Sequence, residues 1–212
     1  MTWTVKLCLS TALLSLIGGC NSPRTNDATA RSYYLAPGRN LRALGRVALV
    51  ELDNTSAYPQ IATDVTDALF LSTQKKQVFG VMTVRQDNPA WRSLQENLDS
   101  LQALRQLLTM RDTLKCNGLL VGSVTEYEPY PHMVLGLRLK LLDLTDGQLL
   151  WGMEQVWDSA DQNVQKRIKA YYKQELRMGF APLQEELVAV SPLNFIKFVA
   201  YEVAQTFQPE TK

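Results

Sequence analysis

The chain has 212 residues, with 22 lysines and arginines against 21 aspartates and glutamates, a formal charge of +1, 46% apolar residues and one histidine. An apolar share of that size suits a packed globular fold and excludes a fully disordered chain. The charge balance lacks the cationic surplus that nucleic-acid binding needs to displace counterions from phosphates, and one histidine excludes a His-rich metal site within one subunit.

Residues 1–19 read as an export signal. A weakly cationic start with Lys6 leads into the apolar run Leu7 to Ile17 and the small pair Gly18-Gly19. The run is shorter than the roughly 20 apolar residues that cross a bilayer. Its end, Ile17-Gly18-Gly19-Cys20, resembles a bacterial lipobox, in which cleavage leaves a lipidated cysteine at the new N-terminus. An uncleaved anchor, or a secretory signal with a coincidental cysteine, would export the chain equally. Residues 20–32 contain no large apolar side chain and read as a flexible lipid-anchored tether. Asn21 follows Cys20 where an inner-membrane lipoprotein tends to carry Asp, so the expected location is the outer membrane, facing the periplasm. With Cys8 in the signal and Cys20 acylated, Cys116 remains as a single thiol, expected to be buried as a small hydrophobe.

Residues 33–208 are expected to form one α/β domain, a two- or three-layer sandwich around a mixed sheet. Arg46 to Leu52 reads as a buried strand. Pro59 suits a first helical position, and Ile61, Val65, Ala68, Leu69 and Ser72 make one core-facing stripe up to about Lys76. Val78 to Met82 reads as a second strand. Asn88-Pro89 should start a helix carrying Leu94, Leu98, Leu101, Leu104 and Leu108, which stops at Asn117-Gly118. Three strands follow as a meander: Leu119 to Glu128, Met133 to Asp143, and a third carrying Leu149, Trp151, Met153 and Trp157 on its buried face. In the middle strand Leu135, Leu137, Leu139 and Leu141 alternate with Arg138 and Lys140, which predicts one buried and one wet face. Thr145-Asp146-Gly147 is a hairpin signal. Ala160 to Arg177 is helical in propensity and charged almost all round, either a solvated helix or a basic contact surface for anionic lipid or glycan. Ser191-Pro192 should cap a last helix with Leu193, Ile196, Val199, Val203 and Phe207 on one stripe.

The strand Val47-Ala48-Leu49-Val50, the Leu-rich helix entering Cys116 to Val124, and the segment Leu137 to Trp151 together resemble the CsgG/LpoB-like periplasmic lipoproteins, which include curli-secretion channels and peptidoglycan-synthase activators. The resemblance spans roughly residues 44 to 157 and rests on pattern and order. It implies an α/β domain that acts by assembling or by touching partners. The channels of that group insert long amphipathic hairpins between strands. Here Pro129 to His132 is too short for one, and the segment after Trp157 lacks the alternation of a lipid-facing strand.

Catalytic chemistry has little to stand on. His132 lies between Pro131 and Met133 in a turn, and no Gly-x-Ser-x-Gly elbow, phosphate loop or dinucleotide fingerprint is present. Glu126 with Glu128, and Glu51 with Asp53, read as wet strand faces, with Glu126 and Glu128 opposite Val121 and Tyr127. No catalytic residue, cofactor or metal ligand is expected. The reading is a lipid-anchored envelope binding or assembly lipoprotein, held to the membrane through Cys20, with an envelope protein or glycan as partner and self-association open. The alternatives are an oligomeric export component and, more remotely, a hydrolase using His132. Because it needs neither metal nor disulfide, the folded chain should keep its thermal midpoint in chelator or reductant. A shift of several degrees with either would reveal a structural ligand.

Overall fold

A computed structural model describes residues 33–89, 91–92, 103–177 and 191–207. The seven strands are β1 (Tyr33–Leu35), β2 (Arg46–Val50), β3 (Asp53–Asn54), β4 (Gly80–Val84), β5 (Gly118–Glu128), β6 (Val134–Asp143) and β7 (Leu149–Asp158). They form one mixed sheet in the order β1-β7-β6-β5-β2-β4, with β3 pairing β5 beyond the end of β2. β2 is parallel to both β4 and β5, and β5, β6 and β7 are the antiparallel meander. The helices are α1 (Ile61–Lys76), α2 (Ala103–Leu114), α3 (Gln162–Arg177) and α4 (Pro192–Thr206).

Side-chain alternation decides the layers. Val47 and Leu49 of β2 point into one core with Leu120, Leu137, Leu139, Leu141, Trp151 and Trp157, where α1, α3 and α4 cover the sheet. Ala48 and Val50 point the other way, into a smaller core closed by Trp91, Met110, Leu114 and Cys116. The sandwich therefore has three layers over β4, β2 and β5. Over β6 and β7 the second face carries exposed Arg138, Lys140 and Glu154, as the alternation predicts.

α4 is the central element of the larger core. Ser191 and Pro192 sit at its start as expected, and Phe195, Ile196, Phe198, Val199, Val203 and Phe207 are all buried. Phe207 lies 4.6 Å from the Trp151 ring and 5.3 Å from Phe79, centroid to centroid. Leu193, expected on the same stripe, is 55% exposed because it stands on the outward side of the first turn.

Other elements depart from the sequence reading for identifiable reasons. The second strand runs Gly80–Val84, and Val78 and Phe79 lead into it as buried loop residues. Pro59 lies in the turn before α1. On α1, Ile61, Val65, Ala68 and Leu69 are buried, while Thr73 takes the core position given to Ser72. α2 ends at Leu114, and the residue that turns the chain is Lys115 in the left-handed region at φ 52°, while Gly118 already pairs in β5. The expected start at Asn88-Pro89 is helical, with the Arg92 N–H donating to the Asn88 carbonyl at 3.0 Å. Leu94, Leu98 and Leu101, and the side chain of Leu104, lie outside the described residues.

Two bulges change which side chains are buried. β5 slips between Val124 and Glu126, leaving Thr125 without an opposite partner. Beyond it Tyr127 packs on the larger core, and Glu126 and Glu128 share the face of Val121, contrary to the unbroken alternation. The second slip lies between Leu141 and Leu142, opposite Leu150. It turns Leu149 outward to 38% exposure, while Trp151, Met153 and Trp157 stay buried as expected.

If the meander's inner face holds the fold together, Trp151→Ala should cost roughly 3–5 kcal/mol in urea unfolding, the usual range for deleting a buried aromatic side chain. Lys140→Ala should leave the midpoint nearly unchanged.

Candidate functional site

The end of β2 gathers the densest set of charged and polar side chains. Glu51 follows the strand, and its Oε1 accepts from the Thr63 hydroxyl at 2.7 Å and faces Arg85 Nη1 at 3.4 Å. Its Oε2 accepts from the Gln86 N–H at 3.2 Å. Arg85 also reaches Asp67 at 2.7 Å, and the Gln86 side-chain amide donates to Asp53 at 2.9 Å. These groups meet because β2 and β4 are parallel, so both strands deliver their next residues to one edge, above which α1 begins. Burial on its own would push the Glu51 carboxyl up. The bonds from Thr63 and Gln86 and the Arg85 charge outweigh it and hold the group below its usual value. In open α/β sheets this end of the parallel strands is where ligands bind. Here β3 pairs with β5 at Ser123 and Val124 across that crevice, and the polar groups bond to one another.

A second polar cluster is buried. Glu202 of α4 accepts from Trp157 Nε1 at 2.7 Å and from Arg167 Nε at 2.7 Å. The carboxylate is 6% exposed, and both its oxygens are engaged. This arrangement corrects the reading of α3 as charged all round. Val164 and Ile168 are buried, Tyr171 and Tyr172 pack on the core, and Arg167 turns inward to Glu202. An unpaired charge here would be costly, so the pair fixes how α3 sits against α4.

His132 lies in the β5–β6 turn, 3.6 Å from Asp158 Oδ1, beyond hydrogen-bond reach. Ser159 is adjacent to Asp158, but its hydroxyl accepts from the Met133 N–H at 2.8 Å, and the Ser159 N–H donates to the Met133 carbonyl. The three side-chain types of a hydrolytic triad therefore meet at one turn, where the serine closes the loop. Sequence spacing could not show this, since His132 and Asp158 are joined only by β6 and β7 pairing.

A polar cleft of about 340 Å³ opens at the opposite edge, lined by Arg39, Asn40, Asn117, Asp143 and Thr145 among others. Arg39 donates to Asp146 and Gln148 at 2.8 Å each and lies 3.8 Å from Asp143. A bond from the Gln148 N–H, joined by Arg39, holds the Asp146 carboxyl below its usual value. Cys116 is buried in the smaller core, and that burial pushes its thiol up, away from the reactive thiolate. Among the described residues no group of three or more His, Cys, Asp and Glu could hold a metal ion, and no helix is long and apolar enough to cross a membrane. Cys20 lies outside the described residues.

No protein-family model and no curated protein matches the chain. Among solved structures it is similar to PelC of Paraburkholderia phytofirmans, solved as a dodecamer, at 12% identity over 84% of this chain and 96% of that one, with a TM-score of 0.51. Lipoprotein GNA1162 of Neisseria meningitidis is 10% identical over 65% and 99% of the two chains, with a TM-score of 0.42. The C-terminal domain of LpoB from Salmonella enterica is 18% identical over 57% and 87%, with a TM-score of 0.37. The superposition on PelC shows a shared fold.

Because the folded-state pKa of Glu51 lies below its unfolded value, the unfolded chain binds more protons and stability rises with pH through that range. The contribution is complete above the ordinary Glu value of about 4.3 and lost as pH falls through the lower, folded one. Urea midpoints measured across acid pH should therefore fall less steeply for Glu51→Gln than for the wild type.

Proposed function

We propose that this protein is a lipid-anchored lipoprotein of the bacterial cell envelope that binds or assembles partners and performs no catalysis. The observation that carries this reading is the run ending in Ile17-Gly18-Gly19-Cys20, thirteen positions before a fold shared with PelC begins at Tyr33. The acyl group on Cys20 holds the protein at the outer membrane, and residues 33–208 work as one domain on its periplasmic side. The partner is an envelope protein or a glycan. Glu51, Arg85, Glu202 and Arg39 each spend their charge on a neighbour within the fold, so on this reading these clusters serve the fold.

A second reading, an oligomeric export component, is favoured by the dodecameric state of PelC. It requires a ring of copies and a membrane-spanning element. The described connections after β5, β6 and β7 cover residues 129–133, 144–148 and 159–161, each far shorter than the about 20 residues of a barrel hairpin. A ring lying on the membrane, without staves of its own, is the form of that reading the fold accommodates.

Fatty-acid labelling tests the anchor. Cys20→Ala should abolish acyl incorporation and release the protein from the membrane fraction, and labelling that persists in the variant would refute it. Mass photometry of the detergent-solubilised lipoprotein reads the ring directly, and planar-bilayer recordings of the same sample should show no single-channel steps.

A further inference from the structure

We propose that the outer surface of the helical layer, centred on the lysine stripe of α3, is a docking surface for an anionic phospholipid bilayer. The inference deepens the envelope reading and rests on it for the anchor. Lys166, Lys169 and Lys173 are exposed and fall within about 60° of the helix circumference, opposite the buried Val164 and Ile168. They span about 10 Å along the axis. α3 therefore sorts its cations: Arg167 is drawn inward to Glu202, and the three lysines share one line facing away from the core, with no ion-pair partner among the described residues. Neighbouring helices extend the surface. α4 presents exposed Lys197 beside Leu193, which is 55% exposed, and α1 presents Leu71 at 58%. Asp67 on α1 is neutralised by Arg85 at 2.7 Å. Cations interleaved with exposed leucines fit a surface of anionic headgroups over acyl chains.

The direction of β1 agrees with this. Tyr33 pairs with Met153 and β1 is antiparallel to β7, so the N-terminal end of β1 points toward Asp158, the end of β7 from which α3 starts. The thirteen positions from Cys20 to Tyr33 reach at most about 45 Å, which is ample for an acyl chain and the roughly 24 Å α3 to meet one membrane plane.

The test uses the full chain purified from the envelope, placed in equimolar phosphatidylglycerol–phosphatidylcholine vesicles or in pure phosphatidylcholine vesicles. Acetylation by an amine-reactive ester, read lysine by lysine by mass spectrometry, should slow several-fold at positions 166, 169 and 173 on the anionic vesicles alone. The difference should close in high salt, and Lys140 on the far side of the sheet should not change. Equal rates on both vesicles would overturn the proposal. So would protection seen only on native membranes that retain their proteins, which would point to an acidic protein partner. Acylation of Cys20 is read separately from the intact mass. If the chain proves unacylated, the anchor fails, and co-sedimentation with the anionic vesicles then decides the surface. A Lys166→Gln, Lys169→Gln, Lys173→Gln variant with an unchanged thermal midpoint should lose about a hundredfold in partition, on the order of fivefold per lysine, while the corresponding arginine variant retains binding. An unaltered partition of the glutamine variant would overturn the proposal.

Discussion

A twisted sheet with an apolar face must have that face covered, and in this molecule the cover is α4. Its inner face is buried from Phe195 to Thr206, and it touches both α1 and α3. Phe207 closes the bottom of the contact against Trp151 and Phe79, and Glu202 bonds Trp157 and Arg167. A helix from the end of the chain thus secures strands from its beginning and its middle. Burial of that large aromatic and aliphatic surface is the dominant favourable term, and the parallel pairing of β2 with β4 and β5 depends on it.

The same packing sets where charge can go. A cation on the inner side of α3 needs a carboxylate, and Glu202 supplies one to Arg167 while also accepting from Trp157. The remaining lysines of the helix then stand on the outside. On the opposite side of the sheet, Arg138 and Glu154 pair across neighbouring strands at 2.6 Å on the exposed surface, where such a contact contributes little. The two faces of the domain consequently differ: a helical side rich in lysine and broken by leucines, and a strand side of mixed sign.

At the end of β2 and at the Arg39 cleft the charged groups bond to one another, whereas at the turn after β5 it is the Ser159 hydroxyl that is engaged, by the Met133 N–H, and His132 stands 3.6 Å from Asp158. The turn at Met133 and Ser159 shows how misleading residue types alone can be, since a serine, a histidine and an aspartate gather there to end a hairpin.

The sequence by itself determined the meander, because period-two alternation over strands of ten or eleven residues leaves one register that buries the leucines and exposes Arg138 and Lys140. It also determined α1, the Ser191-Pro192 start of α4, the burial of Cys116 and the hairpin at Gly147, whose φ of 75° needs a glycine. Only the tertiary structure decided the rest. β1 and β3 have three and two residues, too few to show a period, and exist because β7 and β5 offer them partners. The bulges at Thr125 and Leu150 turn Glu126, Glu128 and Leu149 to faces that no local pattern announces. Arg167 and the three lysines of α3 look alike in sequence, and what separates them is the position of Glu202, contributed by another helix. Local periodicity is written in neighbouring residues, whereas burial and charge pairing are settled by side chains that meet only once the chain has folded.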